Sequence, residues 1–351
     1  MKFLVCDLSL IDKSHLITDK YISYEDGDYK WNASHAPISW HSYAAAMHGR
    51  FVSAPNDNWT EHVKWADVIL FTFTYNCKLA KDIIQLAKQK GKIVLGAFHE
   101  NGDLFQKLAK ENIEWLLEFK ECINVCDYIL IQSEHALRPC YLSLGIEPHR
   151  LVNIPQPYDI EYYKKFHKTD DEKKGVFIGS RLKVDEFEKR NTILSLLHAI
   201  DYVKTNNDIK KSITFQLTVA DGASKLESYK STLQKIAPDI EFNLFGLVSY
   251  PELLEKISLC ECTINLDAAD TQGQIDYDSM LVGTPIEIVP NLESEYGTDA
   301  VHRLIKFQDA RKRVTHLHPT LNSNMSLHEH FLKFYHSMEV CKERITKLVG
   351  L

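Results

Sequence analysis

Short apolar runs alternate along the chain with longer segments whose apolar residues recur at helical spacing. In the first half, apolar runs typical of buried strands in a parallel sheet occur at 2–6, 67–73, 92–98 and 127–132. The segment 78–92 has the period of an amphipathic helix and a glycine near its end. Strand, helix and strand in this order predict right-handed crossovers and a doubly wound sheet.

The stretch 8–50 departs from this alternation. It holds two tryptophans, several tyrosines and four histidines, which is unusual for the first part of such a domain. One interpretation is a long first loop that shapes a ligand pocket.

The alternation restarts after 167–174, a charged stretch that we interpret as a solvated linker. Beyond it the pattern predicts strands at 175–180, 213–222, 240–246, 262–267 and 285–290, and helices at 191–206, 227–237, 250–260 and 327–350. The fold prediction is α/β, with two Rossmann-like, doubly wound domains that face each other across a cleft. The predicted divisions are 1–160, 161–325 and a C-terminal helix, 326–351, that could pack back on the first domain.

Composition narrows the choice of partners. The net charge of -7 argues against nucleic acid, because binding a duplex needs a basic face. No apolar run approaches the ~18 residues that a membrane-spanning helix needs, and the first residues read as a buried strand rather than a signal peptide. Five lysines in 78–92 leave open a peripheral contact with the inner face of a membrane, although a solvated surface helix is the preferred interpretation.

The eight cysteines show no paired zinc spacing, so we expect no metal site and a reduced, cytoplasmic protein. No G-x-G-x-x-G follows a predicted strand, and no Walker A sequence is present. Candidate chemistry therefore has to come from less familiar patterns at the carboxyl ends of the strands.

One candidate is IGSRL (178–182), where Gly179 and Arg181 lie at the end of a predicted strand. Lys189 opens the next predicted helix. Guanidinium and ammonium groups near a helix N-terminus suit a phosphate group. The alternative for Lys189 is a surface charge beside neighbouring acidic residues.

A second candidate is DTQGQIDYDSMLVGTP (270–285), which has Asp270 and Asp278 eight positions apart. The segment 270–274 precedes a predicted helix, so its amides can face a diphosphate. Asp270 would reach beyond the phosphates, and Asp278 could accept hydrogen bonds from the paired hydroxyls of a sugar or ribose. The alternative is that Asp270 caps the helix and Asp278 is solvated.

A third candidate, His99, follows a predicted strand of the first domain and would lie at the mouth of the cleft.

Five stretches resemble, in order, motifs of retaining GT-B glycosyltransferases of the family 4 type. They are IPQPYDIEYY (154–163), IGSRL (178–182), VADGA (219–223), the run 244–267 and the stretch 270–285. In the last stretch the family has two glutamates eight positions apart, where this chain has Asp270 and Asp278. Gly273, Met280, Gly283 and Pro285 match the rest of that signature. The resemblance runs from about residue 67 to the C-terminus.

The resemblance implies a role for each matching residue. The implied catalytic residues are Asp270, which would contact the donor sugar, and His99, near the sugar and the acceptor. Asp278 would hold the ribose hydroxyls, Arg181 and Lys189 the diphosphate, and Val248 would lie by the base. The implied donor-binding set is Gly179, Arg181, Lys189, Val248, Thr271, Gln272, Gly273, Gln274 and Asp278.

The implied activity is transfer of a sugar from a UDP- or GDP-linked donor to a glycan or lipid-linked acceptor, as in polysaccharide biosynthesis. The anomeric configuration would be retained, and neither a metal nor a further cofactor would be needed. The first domain would take the acceptor and the second the nucleotide sugar. Both signature glutamates are aspartates here, and the usual Gly-Gly pair after the first strand is missing. These departures keep open an alternative, a non-catalytic GT-B-like binding or scaffold protein.

Overall fold

The structure is a computed structural model that describes residues 1–8, 21–27, 38–53, 59–98, 102–131, 137–179, 182–183, 192–218, 223–246, 248–266, 274–286 and 337–350. The chain divides into two compact units. The first holds the described residues of Met1–Tyr158 and Leu332–Leu351, and the second holds those of Asp159–Ala269 and Gly273–Phe331.

The first unit is built on a mainly parallel sheet, which has seven strands among the described residues. They are β1 (Phe3–Asp7), β2 (Tyr21–Ser23), β3 (Arg50–Ser53), β4 (Val68–Phe73), β5 (Ile93–Phe98), β6 (Tyr128–Leu130) and β7 (Leu151–Val152). The order across the sheet is β2-β3-β1-β4-β5-β6-β7, and the β2–β3 pair is antiparallel. Every residue of β1 and β4 is buried, as in a sheet covered on both faces. The strands predicted from the four apolar runs of this half are confirmed.

The helices described in the first half of the chain are α1 (Ile38–Ala46), α2 (Trp59–Trp65), α3 (Cys77–Gln89), α4 (Gly102–Glu111), α5 (Trp115–Val125) and α6 (Leu137–Ser143). The helix predicted at 78–92 is confirmed as α3. Its first turn is capped by the Asn76 side chain, which accepts a hydrogen bond from the Leu79 amide at 3.0 Å. Its buried residues include Ala80, Ile84 and Ala87, one stripe of the helix, and α3 packs against α5.

The interpretation of 8–50 as one long loop is wrong, because β2, α1 and the start of β3 lie within it. The sequence pattern hides α1 because its described side chains, from Trp40 to Ala46, are all buried. A helix without a polar stripe has no amphipathic period. Strand β2 is three residues long, which is too short for alternation to be visible.

The second unit has a parallel sheet of its own. Its described strands are β8 (Val176–Ile178), β9 (Leu182–Lys183), β10 (Ser212–Thr218), β11 (Glu241–Phe245) and β12 (Cys262–Ile264). Their order is β11-β10-β8-β12, and β9 pairs with the end of β10. Ile286 forms a parallel bridge with Thr263. Of the strand predicted at 285–290, residues 287–290 lie outside the described part of the chain.

The described helices of the second unit are α7 (Ile160–Lys164), α8 (Thr192–Thr205), α9 (Ala223–Ile236), α10 (Tyr250–Ser258) and α11 (Gln274–Leu281). The predicted helices at 191–206, 227–237 and 250–260 are confirmed, although α9 begins four residues early. The α/β prediction with parallel sheets is therefore confirmed in both units.

The interpretation of 167–174 as a solvated linker is wrong for two of its residues. His167 Nε2 hydrogen-bonds to the Leu281 carbonyl at 2.9 Å, and Lys173 Nζ donates to the Gly283 carbonyl at 2.8 Å. These carbonyls lie at the C-terminal end of α11, where cations and donors are favoured. Gly283 has a φ of +78°, the left-handed conformation that commonly ends a helix.

The C-terminal helix, α12 (Met338–Leu348), packs against α1. The continuous helix predicted at 327–350 is wrong at its start, because Ser337 is extended and its side chain accepts a hydrogen bond from the Val340 amide. Residues 327–336 lie outside the described part of the chain. No described helix combines the length and the apolar character needed to cross a membrane.

Candidate functional site

The carboxyl edge of the second sheet gathers the predicted donor residues that the structure describes. Gly179 follows β8, Asn265 follows β12 and Val248 lies three residues after β11. Because the strands are parallel, these ends share one edge of the sheet, where open α/β sheets bind ligands. Helix α11 begins at Gln274, nine residues after Asn265.

Gly179 is required there for packing. Its amide donates to the Ile264 carbonyl at 2.9 Å, which extends the pairing of β8 with β12. A Cβ at this position would lie 2.4 Å from Asn265 Cβ, closer than two carbon atoms can approach. The glycine therefore leaves room for the buried Asn265 side chain at the end of the strand. This packing explains why residue 179 is glycine, whether or not a phosphate binds there.

Asn265 ties three elements together. Its Nδ2 donates to Asp276 Oδ1 in the first turn of α11 at 2.7 Å. The next residue, Leu266, donates its amide to Ser195 Oγ on α8 at 3.1 Å. The N-terminal part of α11 and the first half of α8 are thus fixed at the edge where β12 ends.

Helix α11 is also held along its length. Ser279 Oγ and Thr263 Oγ1 on β12 hydrogen-bond at 2.9 Å, and both side chains are buried. Beyond the helix, Thr284 Oγ1 donates to the Ile257 carbonyl at 3.0 Å. The first backbone amides of a helix have no partner within it, and helix N-termini suit anions. The expected contact of the Gln274 amide with a diphosphate stays a prediction.

Asp278 lies in the interior rather than on the surface, so the alternative in which it is solvated is wrong. Its side chain is 1% exposed, and Tyr250 donates its hydroxyl to Asp278 Oδ1 at 2.6 Å. The Tyr250 hydroxyl in turn lies 2.6 Å from that of Tyr163. Burial raises the pKa of Asp278 to about 8, and the bond from Tyr250 offsets only part of that rise. Its expected contact with ribose hydroxyls stays a prediction.

Burial also raises the pKa values of Tyr250 and Tyr163, and the nearby Asp278 carboxyl adds to the effect. Both phenols therefore stay protonated and available as hydrogen-bond donors. The hydrogen-bond partner described for the Asp278 carboxyl is therefore a neutral hydroxyl. Among the described contacts, Asp278 forms no ion pair with a cation.

Val248 is half-buried between β11 and α10. The residue after it, Ser249, is the N-cap of α10 and forms a capping box with Glu252: the Ser249 amide donates to Glu252 Oε2 at 2.9 Å. The capping box fixes the backbone on the α10 side of Val248, and the expected contact of Val248 with the base stays a prediction.

Seven predicted site residues lie outside the described part of the chain: His99, Arg181, Lys189, Asp270, Thr271, Gln272 and Gly273. Their roles stay predictions. The other four predicted site residues all lie in the second unit. Gly179 and Val248 lie around the carboxyl edge of its sheet, and Gln274 and Asp278 lie on α11.

Sequence reasoning missed Tyr163, Tyr250 and Asn265. The Ser-x-x-Glu capping box at 249–252 was a usable signal for where α10 begins, and it fixes Tyr250 as the first helical residue. Nothing in the sequence pairs Tyr163 with Tyr250, because they are 87 positions apart.

The first unit has a buried polar cluster at the carboxyl ends of β1 and β4. Thr72 Oγ1 donates to Asp7 Oδ1 at 2.9 Å, and both residues are almost fully buried. His41 Nδ1 lies 3.1 Å from the Tyr24 hydroxyl, and its ring stacks on Phe51. Burial lowers the pKa of His41 to about 4, so the imidazole is neutral.

Within the described residues, no three His, Cys, Asp or Glu side chains form a group suited to a metal ion.

No family model matches the chain, and no curated protein matches it. Solved structures do match, at low identity. HepE of Anabaena, solved in complex with UDP and glucose, has a TM-score of 0.54 and 11% identity, over 100% of this chain and 99% of HepE. Sucrose-phosphate synthase of Thermosynechococcus elongatus has a TM-score of 0.55 and 12% identity, over 100% of this chain and 98% of that one. The lipopolysaccharide outer core galactosyltransferase WaaB has a TM-score of 0.52 and 14% identity, over 100% and 99%. The fold is that of the GT-B glycosyltransferases.

Proposed function

We propose that the chain is a glycosyltransferase that binds a nucleotide sugar at the carboxyl edge of its second sheet. It would move the sugar to a glycan or lipid-linked acceptor with retention of anomeric configuration, and without a metal. The observation that carries the proposal is the fixed placement of α11 against that edge, with Asp276 held by Asn265 and Asp278 by Tyr250. The GT-B fold over the whole chain supports it.

The names of the similar structures point to the donor class. HepE was solved with UDP and with UDP-glucose, and WaaB is a galactosyltransferase. We therefore propose a UDP-linked hexose as the first donor to test, with a GDP-linked sugar as the second. The acceptor class and a position at the inner face of a membrane are carried over from the sequence resemblance.

In the proposed complex each residue has one task. Arg181, Lys189 and the first amides of α11 would bind the diphosphate, where negative charge develops as the bond to the sugar breaks. Val248 would contact the base, Asp278 the ribose, and Asp270 and His99 the sugar and its surroundings. Fixed positive charge at the leaving group would do the work that a divalent cation does in metal-dependent enzymes.

A thermal-shift titration with UDP-, GDP- and ADP-sugars tests the proposal. One of these donors should raise the melting temperature, since a ligand at about 100 times its Kd stabilises a protein by about 2.7 kcal/mol. Arg181→Ala should remove most of that shift and leave the melting temperature of the ligand-free protein unchanged. Lys230→Ala is the matched control, because it removes a positive charge from an exposed position on α9. No shift with any donor would contradict the proposal.

A non-catalytic binding or scaffold protein is the second candidate function. The observation that favours it is that the Asp278 carboxyl is buried and accepts a hydrogen bond from Tyr250. Asp270→Asn and Asp270→Glu separate the two candidates. An enzyme should lose turnover with Asp270→Asn and show a clearly changed turnover with Asp270→Glu, whereas a scaffold should retain its partner binding with either change and show no turnover at any stage.

A further inference from the structure

A chain of three buried side chains joins three helices in the second unit. Tyr163 on α7, Tyr250 on α10 and Asp278 on α11 are linked by two hydrogen bonds, each of 2.6 Å. All three side chains are at most 2% exposed. The two tyrosine rings also meet edge to face, with centroids 6.4 Å apart and an interplanar angle of 85°. The resemblance to known glycosyltransferases assigns no role to either tyrosine.

Both tyrosines are carried on well-defined elements. Tyr250 is the first residue of α10, directly after the N-cap Ser249, whose capping box with Glu252 spans it. Tyr163 lies in α7, whose N-terminus is capped by the Asp159 side chain through the Tyr162 amide at 3.2 Å. A hydroxyl fixed from two helices can hold a carboxyl group in one orientation, because neither tyrosine can move without disturbing its helix.

The length of the acidic side chain fits this arrangement. The family signature has glutamate at this position, and aspartate is shorter by one carbon–carbon bond, about 1.5 Å. In this chain the Tyr250 oxygen lies 2.6 Å from Asp278 Oδ1. A glutamate carboxyl that extended in the same direction would overlap that oxygen. The aspartate and the tyrosine are therefore matched to each other.

Tyr250 also connects two predicted donor contacts. It follows Val248, the residue expected beside the base, by two positions, and it bonds Asp278, the residue expected at the ribose. The base and ribose of a nucleotide are covalently joined, so their protein contacts must keep a fixed separation. A hydrogen bond between the two protein elements supplies that constraint.

We propose that Tyr250, braced by Tyr163, is a positioning residue that sets the Asp278 carboxyl for the ribose hydroxyls of the donor. The inference rests on the proposed function. Asp278 Oδ1 accepts from Tyr250, and a carboxyl group has further lone pairs for hydroxyls of a ribose. Asp278 is 1% exposed, and low-dielectric surroundings of this kind strengthen each hydrogen bond that its carboxyl forms.

The test compares ligands that differ only at the ribose. Binding of UDP and GDP, each in its ribose and its 2′,3′-dideoxy form, is measured by calorimetry for the wild type and for Tyr250→Phe. Phenylalanine keeps the ring and removes the hydroxyl. The Kd of the ribonucleotide should rise about 5- to 10-fold, as expected for one lost hydrogen bond, and that of the dideoxy form by less than about twofold. Tyr229→Phe, on α9, is the matched control and should change neither value.

Tyr163→Phe serves as a second variant in case Tyr250→Phe impairs folding. It leaves the bond between Tyr250 and Asp278 in place and removes the brace, so it should weaken ribonucleotide binding by about two- to fivefold and spare the dideoxy form.

The match between side-chain lengths has its own test. Asp278→Glu should lose ribonucleotide binding. The double variant Asp278→Glu with Tyr250→Phe should recover part of it, because the phenyl ring leaves room for the longer carboxyl.

The outcomes separate the inference from the proposed function. If the wild type binds none of these nucleotides, both fail. If it binds the ribonucleotide and Tyr250→Phe weakens or strengthens both forms equally, the positioning role alone is overturned. A loss confined to the ribose form supports it.

Discussion

At the scale of single residues, Asp278 is the most informative side chain, because burial changes its chemistry. Its pKa rises from 3.8 to about 8, mainly through loss of solvation and in part through repulsion by Asp276. Among the described residues, the other titratable groups that face it are the hydroxyls of Tyr250 and Tyr163, which stay protonated. The folded protein therefore binds the Asp278 proton more tightly than the unfolded chain does. Its stability should fall as the pH rises from about 4 to about 8, and the fall should level off at higher pH.

Asp278→Asn should remove this pH dependence, since asparagine has a similar shape and no charge. The free energy of unfolding of the variant relative to the wild type should increase from pH 5 to pH 8, with a slope of at most about 1.4 kcal/mol per pH unit. Urea unfolding at several pH values measures it. Asp239→Asn, at an exposed carboxyl beside Lys211, is the control and should show no such increase in that range. Parallel curves for Asp278→Asn and wild type would mean that the carboxyl is ionised in the folded protein.

Gly179→Ala should destabilise the second unit, because the new methyl group would collide with the Asn265 side chain. We expect a loss of about 1–3 kcal/mol, the usual cost of overpacking a filled interior. The matched control is Gly246→Ala, where an added Cβ would meet no atom within 4 Å. If urea midpoints of the two variants are equal, the packing explanation for Gly179 is wrong.

Part of the candidate site was predictable from sequence at this scale. A glycine at a strand end and an aspartate on a helix are local patterns, and Gly179 and Asp278 were named as site candidates on that basis. The partners of these residues were not. Asn265 meets Gly179, and Tyr163 meets Tyr250, only because the strands and helices that carry them become neighbours in the folded unit.

At the scale of elements, α11 is fixed at both ends by residues from elsewhere in the second unit. Asn265 binds its first turn, and His167 and Lys173 bind the carbonyls at its end. The charged composition of 167–174 by itself predicts a solvated segment. Lys173 is nonetheless 8% exposed, because its ammonium group has a carbonyl to reach at a helix terminus.

Lys173→Met should therefore destabilise the protein while keeping most of the apolar side-chain length. Loss of the bond to the Gly283 carbonyl, and of the charge at the C-terminal end of α11, should cost about 1–3 kcal/mol in urea unfolding. Lys174→Met is the matched control, since its side chain is exposed, and it should change stability by less than about 0.5 kcal/mol. Equal effects in the two variants would show that Lys173 does not anchor the helix.

The elements that the sequence predicted show one of two signals. Strand β4 is a continuous apolar run whose residues are all buried, and helix α3 shows a contrast between a buried and an exposed face. Two of the elements that it missed, α1 and β2, show neither signal: the described side chains of α1 are all buried but include His41 and Ser42, and β2 is only three residues long. Periodicity detects contrast between faces, so it fails where there is no contrast or too little length.

At the scale of the whole molecule, the alternation of strands and helices determines the fold more strongly than residue identity does. Structures that share 11–14% of their residues with this chain match it from end to end. Such a fold is compatible with many sites. The proposed function therefore depends on Asp270, Arg181 and Asp278 acting on a nucleotide sugar, and not on the fold alone.

Donor turnover is the measurement that tests this account most directly. The protein is incubated with UDP-, GDP- and ADP-sugars, and the nucleoside diphosphate released is quantified for the wild type and for Asp270→Asn. We predict slow release from one donor by the wild type, and a rate at least about tenfold lower for Asp270→Asn, which corresponds to about 1.4 kcal/mol in the barrier. Release from no donor, or equal release by both proteins, would contradict a glycosyltransferase that uses this site.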